Sequence, residues 1–397
     1  FSSDIKAIDD YMHILDDLKK VSLKYFSTKA LSGISECLLY GYLSKKFFKY
    51  SDQTTYQVLS KITSNEKLIG VLTGQWGDYG LSPKQSSFAI HSMIANHYMD
   101  GANYPIGGAR MISESVMPVI EENGGQILIS TGVDKISINN NETDGVILEN
   151  GEKINSKLVI SSAGVENTLN RFLRDDKHYH EHESNLKKVT PSGSHACLYI
   201  GFNQTAEELG IKDTNLWIYP GYDHDKNLSD HVNKKTDELP LLYLSFASSK
   251  DPDWNKNHPG TATMEAITLS SFDFYEKWKN EPWRNRGDNY ELHKEELSQK
   301  IISMIYKHVP QLKNKISFHE LSTPLSTRNM ANYNVGELYG IDHVPSRFRQ
   351  KWLKPKTKIK GLYLTGQDIL TAGVAGALSA GALTASVILK KNLFKNI

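Results

Sequence analysis

The fold is decided near the end of the chain, by the stretch Gly361-Leu-Tyr-Leu-Thr-Gly-Gln-Asp-Ile-Leu-Thr-Ala-Gly-Val-Ala-Gly-Ala-Leu-Ser-Ala-Gly-Ala-Leu-Thr-Ala-Ser-Val-Ile-Leu389. Its first apolar run, Leu362 to Thr365, predicts a buried strand that ends at Gly366. After Asp368 come 21 residues without a charge, in which glycine, alanine and threonine recur at helical spacing. One face of the predicted helix therefore carries almost no side chain and can lie close to another backbone or to a flat ligand.

This helix has two interpretations. Its length suits a membrane span, and small residues suit helix packing in lipid. However, the run is only modestly hydrophobic, and it follows a strand that ends with a carboxylate at the turn. In an open α/β sheet, ligands bind beyond the carboxyl ends of the strands, at helix N-termini. We therefore favour a cofactor site, and a membrane-anchored protein without catalytic activity is the alternative from another class.

The composition excludes several function classes. Lysine and arginine total 46 and aspartate and glutamate 45, so the net charge is +1, which argues against a nucleic-acid partner. The two cysteines, Cys37 and Cys197, are too few for a disulfide framework and lack metal-ligand spacing. His178, His180 and His182 alternate in a charged segment, for which we favour a solvated loop over a metal site. We expect no metal.

The motifs at the end of the chain carry a family resemblance. The pattern Leu-Tyr-Leu-Thr-Gly-Gln-Asp368, followed by Gly373-Val-Ala-Gly-Ala377, resembles the C-terminal flavin motif of the polyene-acting FAD oxidoreductases. These are the phytoene desaturases, the carotenoid isomerases and, most similar here, the retinol saturases (all-trans-retinol 13,14-reductases). The segments 75–91 and 96–108 resemble the retinol saturases more specifically, whereas Tyr104-Pro-x-Gly-Gly108 is shared across the wider group. The resemblance covers almost the whole chain from about residue 30.

The resemblance implies an α/β fold with an FAD/NAD(P)-binding domain of the glutathione-reductase type and a substrate domain made of an antiparallel sheet plus helices. No Gly-x-Gly-x-x-Gly follows a predicted strand, so we expect the N-terminal Rossmann βαβ unit to be missing and the chain to be truncated at its front. The expected segments are 1–100, a helical part of the substrate or cap domain; 101–165, an FAD-domain segment with a helix and a β-meander; 166–325, the substrate-binding domain; and 326–397, the C-terminal FAD-domain segment.

Periodicity and turn residues predict the individual elements. Helices are expected within 5–72, over 88–98 and over 109–122, and the last should bury an apolar face consisting of Met111, Ile112, Ser115, Val116, Val119 and Ile120. Strands are expected at 126–130, 133–138, 145–149 and 158–161, with turns at Asp144-Gly145 and Asn150-Gly151. Further strands are expected at 195–202, 216–219, 241–248 and 261–269, and covering helices at 274–279 and 290–308.

The implied function is the saturation of a double bond in a retinoid- or carotenoid-like polyene, with FAD as cofactor and NAD or NADP as a possible electron donor. A carotenoid isomerase or phytoene-type desaturase is the alternative within the class, and an inactive fragment is another. The predicted cofactor-binding residues are Gly107, Gly108, Val133, Ala163, Gly366, Asp368, Gly373, Val374, Ala375 and Gly376. Asp368 would accept a hydrogen bond from a flavin hydroxyl, and the helix N-terminus would stabilise negative charge on the reduced ring.

Saturation of a double bond also needs a proton donor. Tyr104, His91 and His97 are candidates only because they lie in the segment that resembles the family, and for each we favour a structural role. No paired carboxylates and no Ser-His-Asp or Cys-His arrangement stand out.

Two segments suggest contact with a membrane surface. Cys37–Leu43 is apolar and precedes Lys45-Lys-Phe-Phe-Lys49, and Arg347–Lys360 places seven cations around aromatic residues. The first is either an interfacial segment or an ordinary core helix, and we favour the core helix. The second either sits on anionic headgroups or is an ordinary solvated loop. The expected partners are thus an apolar isoprenoid polyene and, peripherally, a membrane. The expected location is membrane-associated, in the endoplasmic reticulum of a eukaryote or on the cytoplasmic face of a bacterial inner membrane.

Overall fold

The computed structural model of the protein describes residues 1–175, 177 and 179–395. These residues form two compact units. Unit 1 consists of residues 1–100, 129–192 and the chain from Tyr339 onward, and unit 2 consists of residues 101–128 and 193–338. The domain limits predicted from the sequence, at residues 100, 165 and 325, stay a prediction.

Helices and strands account for most of both units. The α-helices are α1 (Ile5–Ser27), α2 (Ile34–Ser51), α3 (Thr55–Leu59), α4 (Glu66–Leu72), α5 (Phe88–Met99), α6 (Arg110–Glu122), α7 (Tyr179–Leu186), α8 (His224–Val232), α9 (Ala247–Lys250), α10 (Trp254–Asn257), α11 (Asp288–His308), α12 (Pro324–Ala331) and α13 (Gly373–Leu389). The strands are β1 (Val133–Asn139), β2 (Glu142–Leu148), β3 (Lys153–Asn155), β4 (Val159–Ser161), β5 (His195–Phe202), β6 (Leu216–Ile218), β7 (Leu242–Ser245), β8 (Ala262–Leu269), β9 (Ile316–Ser322) and β10 (Leu362–Leu364).

The helices at the start of unit 1 confirm the helical pattern of the sequence. Tyr11, Leu15 and Leu18 lie on one face of α1 and are buried. Tyr11 and Leu15 belong to the same apolar cluster as Phe88 and Ala95 of α5. The short helix α3 begins at a capping box, in which the Thr54 side chain accepts a main-chain N–H and the side chain three residues later bonds back.

Strands β1, β2 and β3 form an antiparallel meander, as predicted, but one of its turns is not where the sequence placed it. The β1–β2 turn is Asn140-Asn141, with φ of 50° and 67°, and asparagine tolerates this left-handed backbone. The predicted turn at Asp144-Gly145 is wrong, because both residues lie inside β2. Gly145 is required there by a close approach, since a Cβ would lie 2.0 Å from the Ile154 carbonyl oxygen.

A parallel pair, β4 with β10, carries the end of the chain. Helix α13 packs on it through its small face, as predicted: the Thr384 hydroxyl donates to the Leu364 carbonyl at 3.0 Å. Ala380 and Leu383 share an apolar cluster with Leu362 and Leu364. In the described part of the chain, we find no helix with the length and apolar character needed to cross a bilayer.

Unit 2 contains a five-stranded antiparallel sheet in the order β6-β7-β8-β5-β9. The predicted strands at 195–202, 216–219, 241–248 and 261–269 are confirmed, the third being shorter than predicted. One face of the sheet packs on α11, where Ile301 and Ile305 are fully buried in the same cluster as Leu198 and Met264. Strand β9 was missed, and the predicted helix at 274–279 is instead two short 3₁₀ turns, Phe272–Phe274 and Glu276–Trp278.

Helix α6 and the chain after it differ from the prediction. The helix has nearly the predicted limits, but none of its residues is buried, so the expected buried face is wrong. The residues of that face are exposed or, for Met111, half-buried: Met111, Ile112, Ser115, Val116, Val119 and Ile120. The predicted strand at 126–130 is also wrong, because those residues are exposed and form no ladder with a neighbour. Apolar periodicity encodes which face is apolar, and not whether anything covers it.

Candidate functional site

The turn after β10 is held by the buried carboxylate of Asp368. Its Oδ2 accepts the main-chain N–H of Val165 at 2.8 Å, and its Oδ1 accepts that of Ile341 at 2.9 Å. Gly340 permits this approach, since a Cβ at that position would lie 2.0 Å from Asp368 Oδ1. Asp368 therefore ties three segments of unit 1 together. Its predicted hydrogen bond to a flavin hydroxyl would add to these two contacts and stays a prediction.

The main-chain carbonyls of the same turn are held by Arg347, which is only 3% exposed. Its guanidinium donates to the carbonyl oxygens of Gln367 at 2.9 Å, of Asp368 at 3.1 Å and of Leu370 at 3.4 Å, and also to that of Ile341. Burial lowers the pKa of Arg347, and the Asp368 carboxylate opposes this shift. The sequence placed Arg347 in a basic surface segment, and nothing in the spacing distinguished it from its neighbours.

A third buried group, His343, reaches the N-cap of α13. Its Nε2 accepts the main-chain N–H of Ala372 at 3.1 Å, while its own carbonyl oxygen accepts the N–H of Ser87 at 2.9 Å. Burial, together with the Arg347 charge, lowers the pKa of His343 well below its ordinary value, so the imidazole is neutral and keeps a lone pair for Ala372. Asp368, Arg347 and His343 thus immobilise the loop that leads into α13.

The N-terminus of α13 is therefore rigid, and it is also open. Gly373 has φ +86°, and a Cβ there would meet no atom within 4 Å. Val374 and Ala375 are exposed, and the N-cap residue Ala372 supplies no side-chain cap. Gly376, unlike Gly373, has no room for a side chain, since a Cβ would lie 2.1 Å from the Thr371 carbonyl oxygen. The first-turn N–H groups can donate hydrogen bonds to an electron-rich ligand edge, and this fits the pyrimidine side of a flavin.

Other predicted cofactor residues of unit 1 lie at the carboxyl ends of the parallel strands. Ala163 follows β4, and Gly366 follows β10 with φ +92°. A Cβ on Gly366 would lie 3.8 Å from the Ser162 carbonyl oxygen, so the two strand ends are close. This edge of an open parallel sheet is where ligands bind in α/β folds. Val133 opens β1 and pairs with Leu148, and its contact with adenine stays a prediction.

Gly107 and Gly108 lie in unit 2, unlike the other eight predicted cofactor residues. Both have positive φ, +87° and +86°, and the N–H of Gly108 donates to the Pro105 carbonyl at 3.0 Å. The segment is therefore a tight turn that only glycine forms without strain. Its part in cofactor binding stays a prediction.

The three candidate proton donors have different environments. His91 is buried, with Nε2 2.9 Å from the Tyr11 hydroxyl and Nδ1 3.1 Å from the Tyr79 hydroxyl, and burial lowers its pKa to about 4. His97 is exposed in the last turn of α5. Tyr104 is half-buried in unit 2, where burial and then the carboxylates of Glu265 and Asp251 raise its pKa. Both nitrogens of His91 are engaged by tyrosines of unit 1, which is the pattern of a structural histidine.

A metal centre is not visible in the described ranges, where no three histidine, cysteine, aspartate or glutamate side chains cluster suitably. The solvated loop that we favour over a metal site for the three alternating histidines is wrong in part: His178 lies outside the described residues, whereas His180 and His182 lie in the helix α7. Cys37 is exposed and Cys197 is buried, and neither forms a disulfide.

Known proteins that resemble the chain were compared in sequence and in structure. No family model matches. The chain is 33% identical over 410 residues to the all-trans-retinol 13,14-reductase of Danio rerio, and the alignment covers 99% of this chain and 67% of the relative. The human all-trans-retinol 13,14-reductase is 30% identical over 414 residues, covering 100% and 68%. An inactive all-trans-retinol 13,14-reductase of Danio rerio is also 30% identical, over 421 residues, covering 99% and 67%.

More distant relatives and solved structures agree on the fold. The prolycopene isomerase of Arabidopsis thaliana is 25% identical over 306 residues, covering 75% of this chain and 48% of the relative. A putrescine oxidase structure superposes with a TM-score of 0.60 at 11% identity, covering 98% of this chain and 76% of that one. An oxidoreductase structure from Methanosarcina mazei superposes with a TM-score of 0.57 at 15% identity, covering 92% of this chain and 74% of that one. The chain spans about two thirds of the length of the Danio rerio and human all-trans-retinol 13,14-reductases, with which it shares up to 33% identity along nearly its whole length. It belongs to the all-trans-retinol 13,14-reductase family.

Proposed function

We propose that this chain forms part of an FAD-dependent oxidoreductase that reduces a carbon–carbon double bond of a retinoid-like polyene. The observation that carries the proposal is the open N-terminus of α13, which follows the parallel pair β4–β10 and is fixed by Asp368, Arg347 and His343. Two relatives that are at least 30% identical to this chain are named for the reduction of all-trans-retinol at carbons 13 and 14.

The chain's own residues would bind and orient the ring. The exposed N–H groups of Gly373, Val374 and Ala375 would lie against its electron-rich edge, where a helix N-terminus stabilises the negative charge of the reduced state. The flavin, when bound, supplies the hydride chemistry. The loop 366–372 needs little reorganisation during the reaction, because three of its carbonyls are already bonded to Arg347 and the N–H of Ala372 to His343. NADPH or NADH as the source of electrons is part of the same proposal.

We further propose that a phosphate-binding strand, turn and helix with a Gly-x-Gly-x-x-Gly motif completes the site beside β4. Among the described strands, β4 pairs with β10 alone. Its Ile160 side chain is 48% exposed, which is unusual for the middle of a parallel strand, because parallel sheets are normally covered. A further strand on this edge would bring a helix N-terminus to the pyrophosphate. The 397 residues by themselves should therefore bind FAD weakly.

One experiment tests the cofactor site and the reaction together. The 397 residues are joined to the amino-terminal segment of the Danio rerio relative. Bound flavin is measured, and so is the anaerobic loss of all-trans-retinol absorbance with NADPH or NADH added as the electron donor. Val374→Glu places a carboxylate at the open N-terminus of α13 and should reduce the flavin content. Leu389→Glu, at the other end of the helix and equally exposed, is the matched control and should leave it unchanged.

The outcomes separate the alternatives. Full flavin content in Val374→Glu would remove the proposed ring site. Bound flavin with conversion of prolycopene, and without consumption of retinol, would instead favour the isomerase activity named for the Arabidopsis relative. Stoichiometric flavin in the 397 residues alone would contradict the proposed phosphate-binding unit.

A further inference from the structure

The five-stranded sheet of unit 2 has a second face, opposite the one that packs on α11. Side chains alternate along a strand, and Ala196, Leu198 and Ile200 of β5 belong to the apolar cluster that includes α11. Cys197 and Tyr199, which lie between them, are therefore on the second face. Strands β6, β7 and β8 alternate in the same way, so the second face carries rows of side chains that cross the strands.

One of these rows is apolar and aromatic. The strand register aligns one residue from each of four neighbouring strands, and we call this set the apolar row: Trp217, Tyr243, Ile267 and Cys197. The ring centres of Trp217 and Tyr243 are 4.4 Å apart, and Cys197 is buried. The row crosses three strand spacings of about 4.8 Å each, so an extended apolar chain can lie along it.

The neighbouring row, two residues away along each strand, is polar. We call it the polar row, and the register aligns its members in the same way: Ser245, Glu265 and Tyr199. Lys250, at the end of the short helix α9, reaches this row. Its ammonium donates to Ser245 Oγ at 3.0 Å and to Asn215 Oδ1, and it lies 5.9 Å from the centre of the Tyr104 ring.

Glu265 is the uncommitted group of the polar row. It is half-buried, yet within the described chain its carboxylate forms neither a hydrogen bond nor a salt bridge; burial raises its pKa, and the Lys250 charge opposes the shift. Lys250, in contrast, already donates to two acceptors. A half-buried carboxylate without a hydrogen-bond donor is unfavourable, so the group that this site lacks is a donor, which a ligand can supply.

We propose that the second face of the unit 2 sheet binds a polyene alcohol, with its chain along the apolar row and its terminal hydroxyl donating a hydrogen bond to Glu265. The inference rests on the proposed function and deepens it, because it makes Glu265 a residue that selects the alcohol. The corresponding carboxylic acid has no proton to donate at neutral pH. It would also bring a second negative charge to Glu265, while Lys250 is already engaged.

Binding is measured with the 397-residue chain, without flavin, by energy transfer from tryptophan to the ligand. The unaltered chain should bind all-trans-retinol more tightly than all-trans-retinoic acid. Glu265→Gln should raise the Kd for retinol about tenfold and reduce the preference for the alcohol. Glu320→Gln is the matched control, because Glu320 also pairs with Tyr199 in the register but its carboxylate is already bonded to Lys294 at 2.7 Å. This control should bind both ligands like the unaltered chain.

A second pair of variants locates the ligand on the sheet. Trp217 lies in the apolar row, so Trp217→Phe should remove a large part of the energy transfer to bound retinol. Trp283→Phe changes another tryptophan of unit 2, which is partly exposed and outside the row, and should leave most of the transfer in place. Equal energy transfer in the two variants would overturn the assignment of the ligand to this face.

The kinetic readout uses the joined protein described under the proposed function. Glu265→Gln should raise KM for retinol and leave kcat nearly unchanged, because a hydroxyl anchor binds the ground state and the transition state alike. A lower kcat at constant KM, or a retinol affinity and a preference for the alcohol that both survive the change, would overturn the inference. A dimer of the 397-residue chain that Glu265→Gln dissociates would assign the face to self-association and would also overturn it. The proposed function fails separately, if the joined protein binds no flavin or consumes no polyene.

Discussion

The Nε2 atom of His343 accepts the main-chain N–H of Ala372 at 3.1 Å. This bond joins a buried histidine to the N-cap residue of α13, at the end of the helix where we propose that the flavin binds. It makes the position of that helix end depend on a side chain outside the motif. Together with Arg347 and Asp368 it explains how a loop rich in small residues has a defined shape.

Replacing His343 with leucine should destabilise this end of the helix. Ala372 is buried, and a buried N–H without an acceptor costs about 1–3 kcal/mol. We expect a lower free energy of unfolding in urea and, in the FAD-binding chain, weaker flavin retention. His97→Leu, at an exposed histidine of α5, should change neither. Equal stability of the two variants would show that the His343–Ala372 bond contributes nothing.

Asp368→Ala should lower the free energy of unfolding by more than the His343 variant does, because two buried N–H groups, those of Val165 and Ile341, lose their acceptor together. From the cost of each unsatisfied group we expect a loss of about 2–6 kcal/mol in the free energy of unfolding. Asp237→Ala, at a fully exposed aspartate, is the control and should be nearly neutral. A variant that keeps its stability and loses only flavin would point to a purely ligand-binding Asp368, as the sequence suggested.

Two glycines of α13 should respond in opposite directions to alanine. At Gly376 a Cβ would lie 2.1 Å from the Thr371 carbonyl oxygen, whereas at Gly381 it would meet no atom within 4 Å. Gly376→Ala must displace the loop before the helix and should lower the melting temperature. Gly381→Ala should raise stability by about 0.5–1 kcal/mol, since alanine is the better helix former. If both variants melt alike, the helix and the loop are not in close contact.

The buried His91 predicts a pH dependence of stability. Its pKa is lowered to about 4 in the folded protein, against about 6.5 when unfolded, so the unfolded chain takes up the proton first. Stability from this group is present above pH 6.5 and is lost as the pH falls toward 4, by up to about 1.4 kcal/mol per pH unit. The raised pKa values of Asp342, about 7, and Asp78, about 6, act in the opposite direction.

A variant distinguishes the contribution of His91 to the pH dependence of stability from that of these two carboxyl groups. We expect His91→Gln to be less stable than the unaltered protein at pH 7.5, and the difference in unfolding free energy between the two should shrink as the pH falls from 6.5 to 4. Urea titrations at several pH values measure this difference. The same titrations of His97→Gln, at an exposed histidine of the same helix, provide the reference. A constant difference for His91→Gln would contradict the lowered pKa.

The sequence by itself determined the elements and the family. Apolar runs predicted four of the five strands of the unit 2 sheet, with β9 missed, and the small-residue periodicity after Asp368 predicted a helix packed on Leu362–Leu364. These signals are local, because helix and strand periods are set by the backbone and read over a few residues. Tight turns were less certain: Asp144-Gly145 has a hairpin composition, yet Gly145 is there for a close approach to Ile154.

Only the tertiary structure decided which faces are covered and which buried side chains hold the motif. The apolar face of α6 is exposed, and so is that of the first half of α2, although both patterns are those of core helices. In the sequence, Arg347 looks like an ordinary member of the basic segment Arg347–Lys360, and His343 just before it received no prediction. Folding places the two side chains against main-chain carbonyls and an N–H of residues 366–372. The physical reason is that burial and hydrogen-bond partners arise from segments far apart in the chain, which no local pattern encodes.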